Sequence, residues 1–291
     1  MSIKIKIQYL ILLSLFILLL FLSLISIAIG SKSIPIDKIL IEIKNYFIYP
    51  NAESIEQKII INLRIPRIIL AIFVGGMLSV CGLILQTIFK NPLVEPFTLG
   101  ISASASFGVA LAIFISDFFL KIRIPFFPFS LISGILGVSI ILLFSLSKNI
   151  SIYTIIFIGI SISYFFNALL TLLLSLLGNR SYDIIIWMFG SFSIIPSRLV
   201  IILFIFFSLI ILIVLLLFHK ELDLFYFSED VIKSMGVKLN ILRTILLGLI
   251  SFITIFSVSF CGIIGFVGLV IPNIAKLIFY RKHNILIMAS F

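Results

Sequence analysis

Long apolar runs, separated by short polar stretches, make up most of the chain. Six of these runs lie at about 9–30, 66–89, 97–116, 124–147, 150–178 and 199–218, and a longer run covers 244–275. A bilayer core of about 30 Å needs roughly 20 apolar residues per helix, so each run is long enough for a membrane-spanning helix. The pattern therefore predicts an all-α, polytopic membrane protein.

The last run is too long for one span and contains residues that interrupt helices. Three glycines and a proline fall inside it, namely Gly262, Gly265, Gly268 and Pro272. Backbone groups that Gly and Pro release at membrane depth are tolerated only where protein or a cavity covers them. We therefore predict two helices with a break near 262–266, which makes about eight spans. The start of a ninth is predicted at Ile285, and the sequence reaches Phe291 before that helix is long enough to cross.

Composition supports the membrane class, with 62% hydrophobic and 11% charged residues, against about 45–50% and about 25% in soluble proteins. In a soluble protein the net charge of +10 would suggest nucleic acid as a partner. Here the basic residues are scattered through short loops, so we expect no nucleic-acid binding. Loops assigned alternately to the two sides share the 21 Lys and Arg residues almost evenly. The positive-inside rule therefore does not set the orientation.

The predicted spans after residue 68 lack ionisable side chains, which limits the transport that the chain can perform alone. Their polar atoms come mainly from Ser, Thr, Gln86, Asn167 and Asn273. Ion-coupled carriers usually need a group that titrates or binds the ion at membrane depth. The sequence also contains no G-x-x-x-x-G-K-[ST] phosphate loop. We therefore expect any energy for transport to come from another chain.

We predict no catalytic residue, cofactor or metal site. Both histidines, His219 and His283, fall at helix–loop junctions, where we expect solvated imidazoles. Cys81 and Cys261 lie in apolar segments without disulfide or metal spacing and are predicted to be packing residues. Small residues recur at helix-face spacing in 100–110. They favour tight helix packing, with pore lining as the alternative.

One polar segment, HKELDLFYFSEDVIKSMGVKLNILR at 219–243, interrupts the apolar pattern. A short helix is predicted from Glu229 to Met235, where Gly236 stops it, because Gly after the last helical residue favours the left-handed conformation. A second short helix is predicted from Val237. The alternative is a solvated loop. Since the chain has no nucleotide loop and no titratable span, we favour a surface through which a separate motor acts.

Three stretches together resemble one protein family. They are LRIPRIILAIFVGGMLSVCGLILQTIFKNPLVEPFTLGISASASFG at 63–108, the polar segment at 219–243, and CGIIGFVGLVIPNIAK at 261–276. In this order and with these separations they resemble the FecCD-type permeases, the membrane subunits of type II ABC importers for iron–siderophores, haem and vitamin B12. The resemblance covers the chain from about residue 10. It implies one transmembrane permease domain over 1–291, surrounded by lipid in the cytoplasmic membrane of a prokaryote.

The resemblance implies a transport subunit and not an enzyme. Such a permease translocates an iron–siderophore or a related chelate, such as haem or cobalamin, for a binding-protein-dependent ABC importer. Its implied partners are a cytoplasmic ABC ATPase dimer, an extracytoplasmic substrate-binding protein and a second permease. The alternatives are a secondary transporter or channel without an ATPase, and an inactive truncated relic of such a permease. The sequence leaves open the chelate and the choice between a homodimer and a heterodimer of permeases.

The resemblance also implies a docking role for two arginines. The R-x-P-R pair, Arg64 and Arg67, is expected to face the extracytoplasmic side and to meet acidic residues of the binding protein. Complementary charge at such a rim gives register and association rate more than affinity. The alternative is that both arginines anchor a helix end at the membrane interface.

Residues 91–93, called the gate segment below, resemble the cytoplasmic gate of the family, with Asn91 and Leu93 as gate residues. Pro92 is expected to end the preceding helix, because it removes a donor and favours an extended neighbour. A second constriction is expected near residues 151–153. Residues 219–243, called the coupling segment, are implied to form a cytoplasmic pair of helices that contacts the ATPase. The expected contact residues are Glu229, Asp230, Ser234, Met235 and Gly236.

Two features depart from the family pattern. Asn273 and Lys276 stand where the family commonly has His and Arg, so a hydrogen-bonding group and the charge are kept while the imidazole is lost. Family members also continue through a completed ninth helix and a tenth. We expect a chain that ended at Phe291 to be poorly stable and inactive, because helices that pack on the last two would then face lipid.

Overall fold

The computed structural model describes residues 3–30, 32–48, 54–122, 124–146, 151–279 and 282–291. Within these ranges the chain is mainly α-helical and has no β-strand, so the all-α prediction is confirmed. The α-helices are α1 (Ile3–Ala28), α2 (Ile36–Ile48), α3 (Ile55–Ile59), α4 (Ile65–Ile88), α5 (Ile101–Ile115), α6 (Phe126–Ser145), α7 (Ile152–Leu177), α8 (Ser181–Met188), α9 (Arg198–Leu217), α10 (His219–Leu224), α11 (Glu229–Ser234), α12 (Leu239–Cys261), α13 (Val267–Ile278) and α14 (His283–Ser290). Short 3₁₀ or π-helical turns cover Ile60–Arg64, Pro96–Leu99, Ser116–Leu120 and Gly178–Arg180.

Seven helical segments of the described chain are long and apolar enough to cross a membrane. They are Ile7–Ala28, Ile55–Ile88, Ile101–Phe119, Phe126–Ser145, Ile152–Met188, Arg198–Leu217 and Leu239–Cys261. Residues 262–266 are not helical, which confirms the predicted break after α12. The segment after the break, predicted as an eighth span, forms α13 with 12 residues, which is shorter than a full crossing.

One compact unit consists of Met1–Val74 together with Ile195–Ile201. It contains α1 to α3, the π-helical turn that precedes α4, and the first residues of α4 and α9. At the start of α3, Ser54 accepts a hydrogen bond from the amide of Gln57 at 3.0 Å, which satisfies one free donor of the helix terminus. The buried residues at the centre of this unit are Ile34, Ile39 and Ile60.

The second compact unit consists of Gly75–Ile194 and Ile202–Phe291. Helix α5 packs against α6 and α7, and α12 packs against α6. One buried cluster joins α5 to α7 and α8, and its members are Val109, Ala110, Ile113, Leu170, Leu173, Leu177 and Ile184. Cys81 and Cys261 are both buried and both free thiols, as the packing interpretation predicted.

Glycines in the second unit allow two pairs of helices to touch through their backbones. A methyl group added at Gly108 would lie 2.3 Å from the carbonyl oxygen of Phe129 in α6. A methyl group at Gly82 would lie 1.7 Å from the carbonyl oxygen of Gly268, so α4 and α13 are in direct backbone contact. At Gly108, the packing interpretation is therefore favoured over pore lining.

Candidate functional site

Arg64 is held against the carboxyl end of α1. Its Nη1 donates to the carbonyl oxygens of Ile27 at 2.5 Å and Ala28 at 3.2 Å, and its Nη2 donates to the carbonyl oxygen of Lys32. The last carbonyls of a helix have no partner within the helix, so the guanidinium supplies the missing donors. Gly30 leaves the space for it, since a methyl group there would lie 2.6 Å from Nη2.

Arg67 lies one turn further along, at the start of α4, and its side chain is exposed. The alternative considered for both arginines was that they anchor a helix end. Arg64 does so, because it binds the carboxyl end of α1. The docking role of both arginines stays a prediction, and Arg67 is the more accessible of the two. The sequence pattern did not single out Arg198, whose exposed side chain belongs to the same compact unit and donates to Asn62 Oδ1 at 2.6 Å.

The prediction that Pro92 ends α4 is wrong, because the helix has already ended at Ile88. Lys90 adopts a left-handed conformation with φ of 48°. Its amide donates to the carbonyl of Thr87 at 3.3 Å, and the amide of Asn91 donates to the carbonyl of Gln86 at 3.2 Å. This pair of hydrogen bonds is a Schellman motif, which turns the chain out of the helix before Pro92 is reached.

Both predicted gate residues lie in a tight turn beside α7. The amide of Leu93 donates to Asn91 Oδ1 at 3.0 Å, an Asx turn that fixes the short loop. Asn91 and Leu93 line a cavity of about 440 Å³ together with α7 residues between Ile156 and Asn167. The second constriction predicted near residues 151–153 lies at the start of α7, before the part that lines this cavity.

Two side chains tie the gate segment and the turn before it to other elements. Asn273 Nδ2, on α13, donates to the carbonyl oxygen of Pro92 at 3.0 Å. Asn273 is one of the positions that depart from the family pattern, and its amide donor is used on the gate segment itself. The second tie is Lys90 Nζ, which donates to the carbonyl oxygen of Phe227 in the coupling segment at 2.5 Å.

The coupling segment contains the short helix predicted from Glu229, but the prediction of a second short helix from Val237 is wrong. Gly236 has φ of 79°, which confirms the left-handed stop after α11. The helix that follows it is the long α12, beginning at Leu239, and the other short helix is α10, which precedes α11. The start of α12 was not predicted, because its apolar face begins with buried Leu239 and Leu242, which lie inside the segment interpreted as polar.

The five predicted contact residues of the coupling segment divide into two groups. Glu229 Oε1 accepts a hydrogen bond from Arg243 Nη2 at 2.8 Å, so it fixes α11 to the buried start of α12. The other four are exposed, namely Asp230, Ser234, Met235 and Gly236. Their proposed contact with an ATPase is compatible with this exposure and stays a prediction.

His283 is buried, so the expectation of a solvated imidazole is wrong for this residue. Its Nδ1 lies 2.6 Å from Asp223 Oδ1, which also accepts the His283 amide at 3.1 Å. Its Nε2 lies 2.9 Å from Thr87 Oγ1. These contacts connect α14, α10 and the last turn of α4. Among the described residues, no group of three His, Cys, Asp or Glu side chains could hold a metal ion.

The environment of His283 favours its neutral form. Burial lowers the pKa of the imidazole from its ordinary value of 6.5, and the charges of Lys276 and His219 lower it further. The hydrogen bond and the charge of Asp223 raise the pKa and oppose these effects without outweighing them. The neutral ring then donates from Nδ1 to the carboxylate, and its Nε2 is an acceptor that shares the Thr87 hydroxyl hydrogen with the carbonyl oxygen of Leu83 at 2.9 Å.

The model of the FecCD transport family matches residues 18–291, which is most of the chain. The chain belongs to the FecCD transport family. A Helicobacter pylori protein described as an iron chelatin transport system permease is 32% identical over 265 residues, which are 90% of this chain and 79% of that protein. The Haemophilus influenzae molybdate import system permease is 32% identical over 81% of this chain and 69% of its own length.

A solved structure shares the fold as well. It is described as an inward-facing conformation of a metal-chelate type ABC transporter, and it matches with a TM-score of 0.81 and 29% sequence identity. The match covers 96% of this chain and 85% of that one. The FecCD resemblance predicted from the three sequence stretches is therefore confirmed. The chain is a multi-pass permease of the cytoplasmic membrane, of the kind found in ABC transporters.

Proposed function

We propose that residues 1–291 act as a transmembrane permease domain of a binding-protein-dependent ABC importer, and that the cargo is a metal chelate such as an iron–siderophore. The matching solved structure is that of a metal-chelate type ABC transporter, which supports this class of cargo. The Helicobacter pylori relative supports iron in particular. Molybdate and cobalamin are the cargoes to test beside it.

The structure of the coupling segment supports the proposal that an ATPase drives this permease. Helix α11 is fixed to the long helix α12 by the 2.8 Å pair of Glu229 with the buried Arg243. Asp230 in α11 and Met235 directly after it are exposed. A short helix that is rigidly joined to a membrane span and open on its other side is suited to pass a force into the membrane. We propose a cytoplasmic ATPase dimer as the source of that force.

The remaining partners are a second permease, which completes the pathway, and a substrate-binding protein on the extracytoplasmic side. We propose that Arg67, which is exposed, contacts the binding protein. Arg64 is proposed to position Arg67, because it fixes the end of α1. Asn91 and Leu93 are proposed as the cytoplasmic gate. Their turn borders a cavity with α7, so the gate segment has space into which it can move.

Co-purification with a candidate ATPase tests this function through Gly236. A methyl group at Gly236 meets no described atom within 4 Å and the residue is exposed, so we expect a longer side chain to extend away from the permease and towards a bound partner. Any side chain at φ of 79° costs about 1–2 kcal/mol of strain. Gly236→Ala is therefore the matched control for Gly236→Arg.

We expect Gly236→Ala to retain the ATPase. Gly236→Arg should bind the ATPase with an affinity at least about tenfold lower, which corresponds to about 1.4 kcal/mol. Both variants should show the same thermal stability as isolated chains. Equal retention of the ATPase by the two variants would contradict the proposed contact surface.

A further inference from the structure

Three elements meet at one fully buried side chain, His283. It stands at the start of α14, and its two ring nitrogens contact Asp223 in α10 at 2.6 Å and Thr87 in α4 at 2.9 Å. The sequence separations are 60 and 196 residues. Asp223 belongs to the coupling segment, while Thr87 stands four residues before the gate segment. The imidazole therefore bridges the two parts of the chain to which the proposed function assigns coupling and gating.

Thr87 is part of the turn that delivers the chain to the gate segment. Its carbonyl oxygen accepts the amide of Lys90 in the Schellman motif at the end of α4. Its hydroxyl is the atom that meets His283. A displacement of the Thr87 side chain can therefore move Lys90, whose left-handed backbone sets the direction of the gate segment.

The hydrogen bonds of this bridge have a defined direction. The carboxylate of Asp223 is acceptor-only, so Nδ1 of the imidazole donates to it, and the amide of His283 donates to the same oxygen. In the neutral ring Nε2 is an acceptor, and it shares the single hydroxyl hydrogen of Thr87 with the carbonyl oxygen of Leu83, which lies 2.9 Å from Oγ1. Since His283 is 0% exposed, no water replaces a broken contact without opening the site, and a buried unmade hydrogen bond costs about 1–3 kcal/mol. The bridge therefore resists separation of α10 from α4.

Two cavities border the gate segment. It borders the cavity of about 440 Å³ beside α7, and Asn91 and Pro92 also line a cavity of about 600 Å³ with Tyr226 and Leu277. The gate segment thus has open volume beside it, and hydrogen bonds from α13 and from the turn before it hold it in place.

We propose that Asp223, His283 and Thr87 form a positioning bridge that transmits movement of the coupling segment to the gate segment. This inference rests on the proposed function, because it needs a coupling segment that a motor moves. The Glu229–Arg243 pair carries force from α11 into α12, whereas the Asp223–His283–Thr87 bridge carries it from α10 to the end of α4. None of the three residues is proposed to touch the cargo.

Thr87→Val tests the bridge, since valine keeps the shape and removes the hydroxyl. The matched control is Thr244→Val, which removes another hydroxyl contact between helices, the 2.8 Å pair of Thr244 Oγ1 with Ser145 Oγ. Thr87→Ser restores a hydroxyl and is the rescue variant. Uptake and ATP hydrolysis are measured in the same vesicles, containing the whole importer.

We expect Thr87→Val to bind the ATPase and to hydrolyse ATP within about twofold of the unaltered importer, while cargo moved per ATP falls about tenfold. Thr244→Val and Thr87→Ser should keep the ratio of cargo to ATP. An unchanged ratio in Thr87→Val, or an equal loss in Thr244→Val, would overturn the bridge.

A second measurement separates failure of the bridge from failure of the proposed function. In the purified chain alone, Leu93→Cys is placed in the gate segment and its reaction rate with a water-soluble maleimide is measured, the native Cys81 and Cys261 being buried. We expect the rate to change severalfold when Thr87→Val is added and to stay constant with Thr244→Val. Equal rates would overturn the bridge whether or not an ATPase or a cargo has been found. If this rate changes while the unaltered importer moves no cargo, the proposed function fails and the connection between Thr87 and the gate segment stands.

Discussion

Glu229→Gln tests how α11 is fixed to α12. The carboxylate pairs with Arg243, whose side chain is 3% exposed, and the Arg243 Nε has no hydrogen-bond partner among the described residues. Glutamine keeps the size and one acceptor oxygen but removes the charge that balances the buried guanidinium. Asp230→Asn makes the same change of charge one residue further along and is the matched control.

The size of the effect follows from the geometry of the pair. A hydrogen bond to a charged group contributes about 1.5–3 kcal/mol and a neutral one about 0.5–1.5 kcal/mol, so the substitution removes about 1–2 kcal/mol. The Glu229 side chain is 43% exposed, and solvent screening moves the value toward the lower end of that range. A loss at that lower end, about 1 kcal/mol, raises the opening equilibrium of α11 by about fivefold.

Hydrogen exchange of the α11 amides in the intact chain measures this opening directly. Glu229→Gln should reduce protection by about fivefold, and Asp230→Asn by less than about twofold. Arg243→Met should cost less than Glu229→Gln, because it leaves a carboxylate that water can reach in place of a buried, unbalanced cation. Equal protection in the two acidic-residue variants, or a larger loss in Arg243→Met, would refute the anchoring of α11 through this pair.

Two further predictions concern docking and pH. Arg67→Glu should slow association with the binding protein by about tenfold or more, with a strong dependence on salt, because a rim charge acts mainly on the association rate. Surface plasmon resonance measures this rate. Lys58→Glu, at an exposed position in the same unit, is the control and should have the smaller effect if Arg67 is the docking group. The pKa of His283 lies below its ordinary value of 6.5 because of burial, so the unfolded chain takes up the proton first as the pH falls. The stabilisation from the neutral imidazole should therefore be complete above about pH 6.5 and decrease at lower pH. Thermal unfolding between pH 7.5 and 5 should show this decrease, and a profile of the same slope in His283→Gln would contradict it.

Local sequence signals predicted the features that depend on neighbouring residues. Gly236 was expected to stop a helix in the left-handed conformation because it follows a short helical pattern, and it does so. The break near 262–266 was predicted from clustered Gly and Pro within an apolar run, and it separates α12 from α13. In both cases the backbone preference of one residue type decides the conformation.

Features that depend on distant contacts could not be predicted in this way. Lys90 ends α4 although lysine gives no signal for the left-handed conformation, and Pro92 was the stronger candidate by composition. His283 was expected in solvent because it stands at a helix end. It is buried by residues 60 and 196 positions away in the sequence. Arg64 likewise binds the end of α1, which lies 36 residues earlier at Ala28. A motif match identified Arg64 without revealing that contact.

Uptake of a radiolabelled ferric chelate into vesicles tests the central claim most directly. The vesicles contain this permease with its ATPase and with binding protein on the outer face. One set receives ATP without an ion gradient, and a second set receives an ion gradient without ATP. We expect uptake that requires ATP on the cytoplasmic side and stops when the ATPase carries an inactivating substitution. Uptake that proceeds without ATP and follows an imposed ion gradient would contradict the account and favour a secondary transporter.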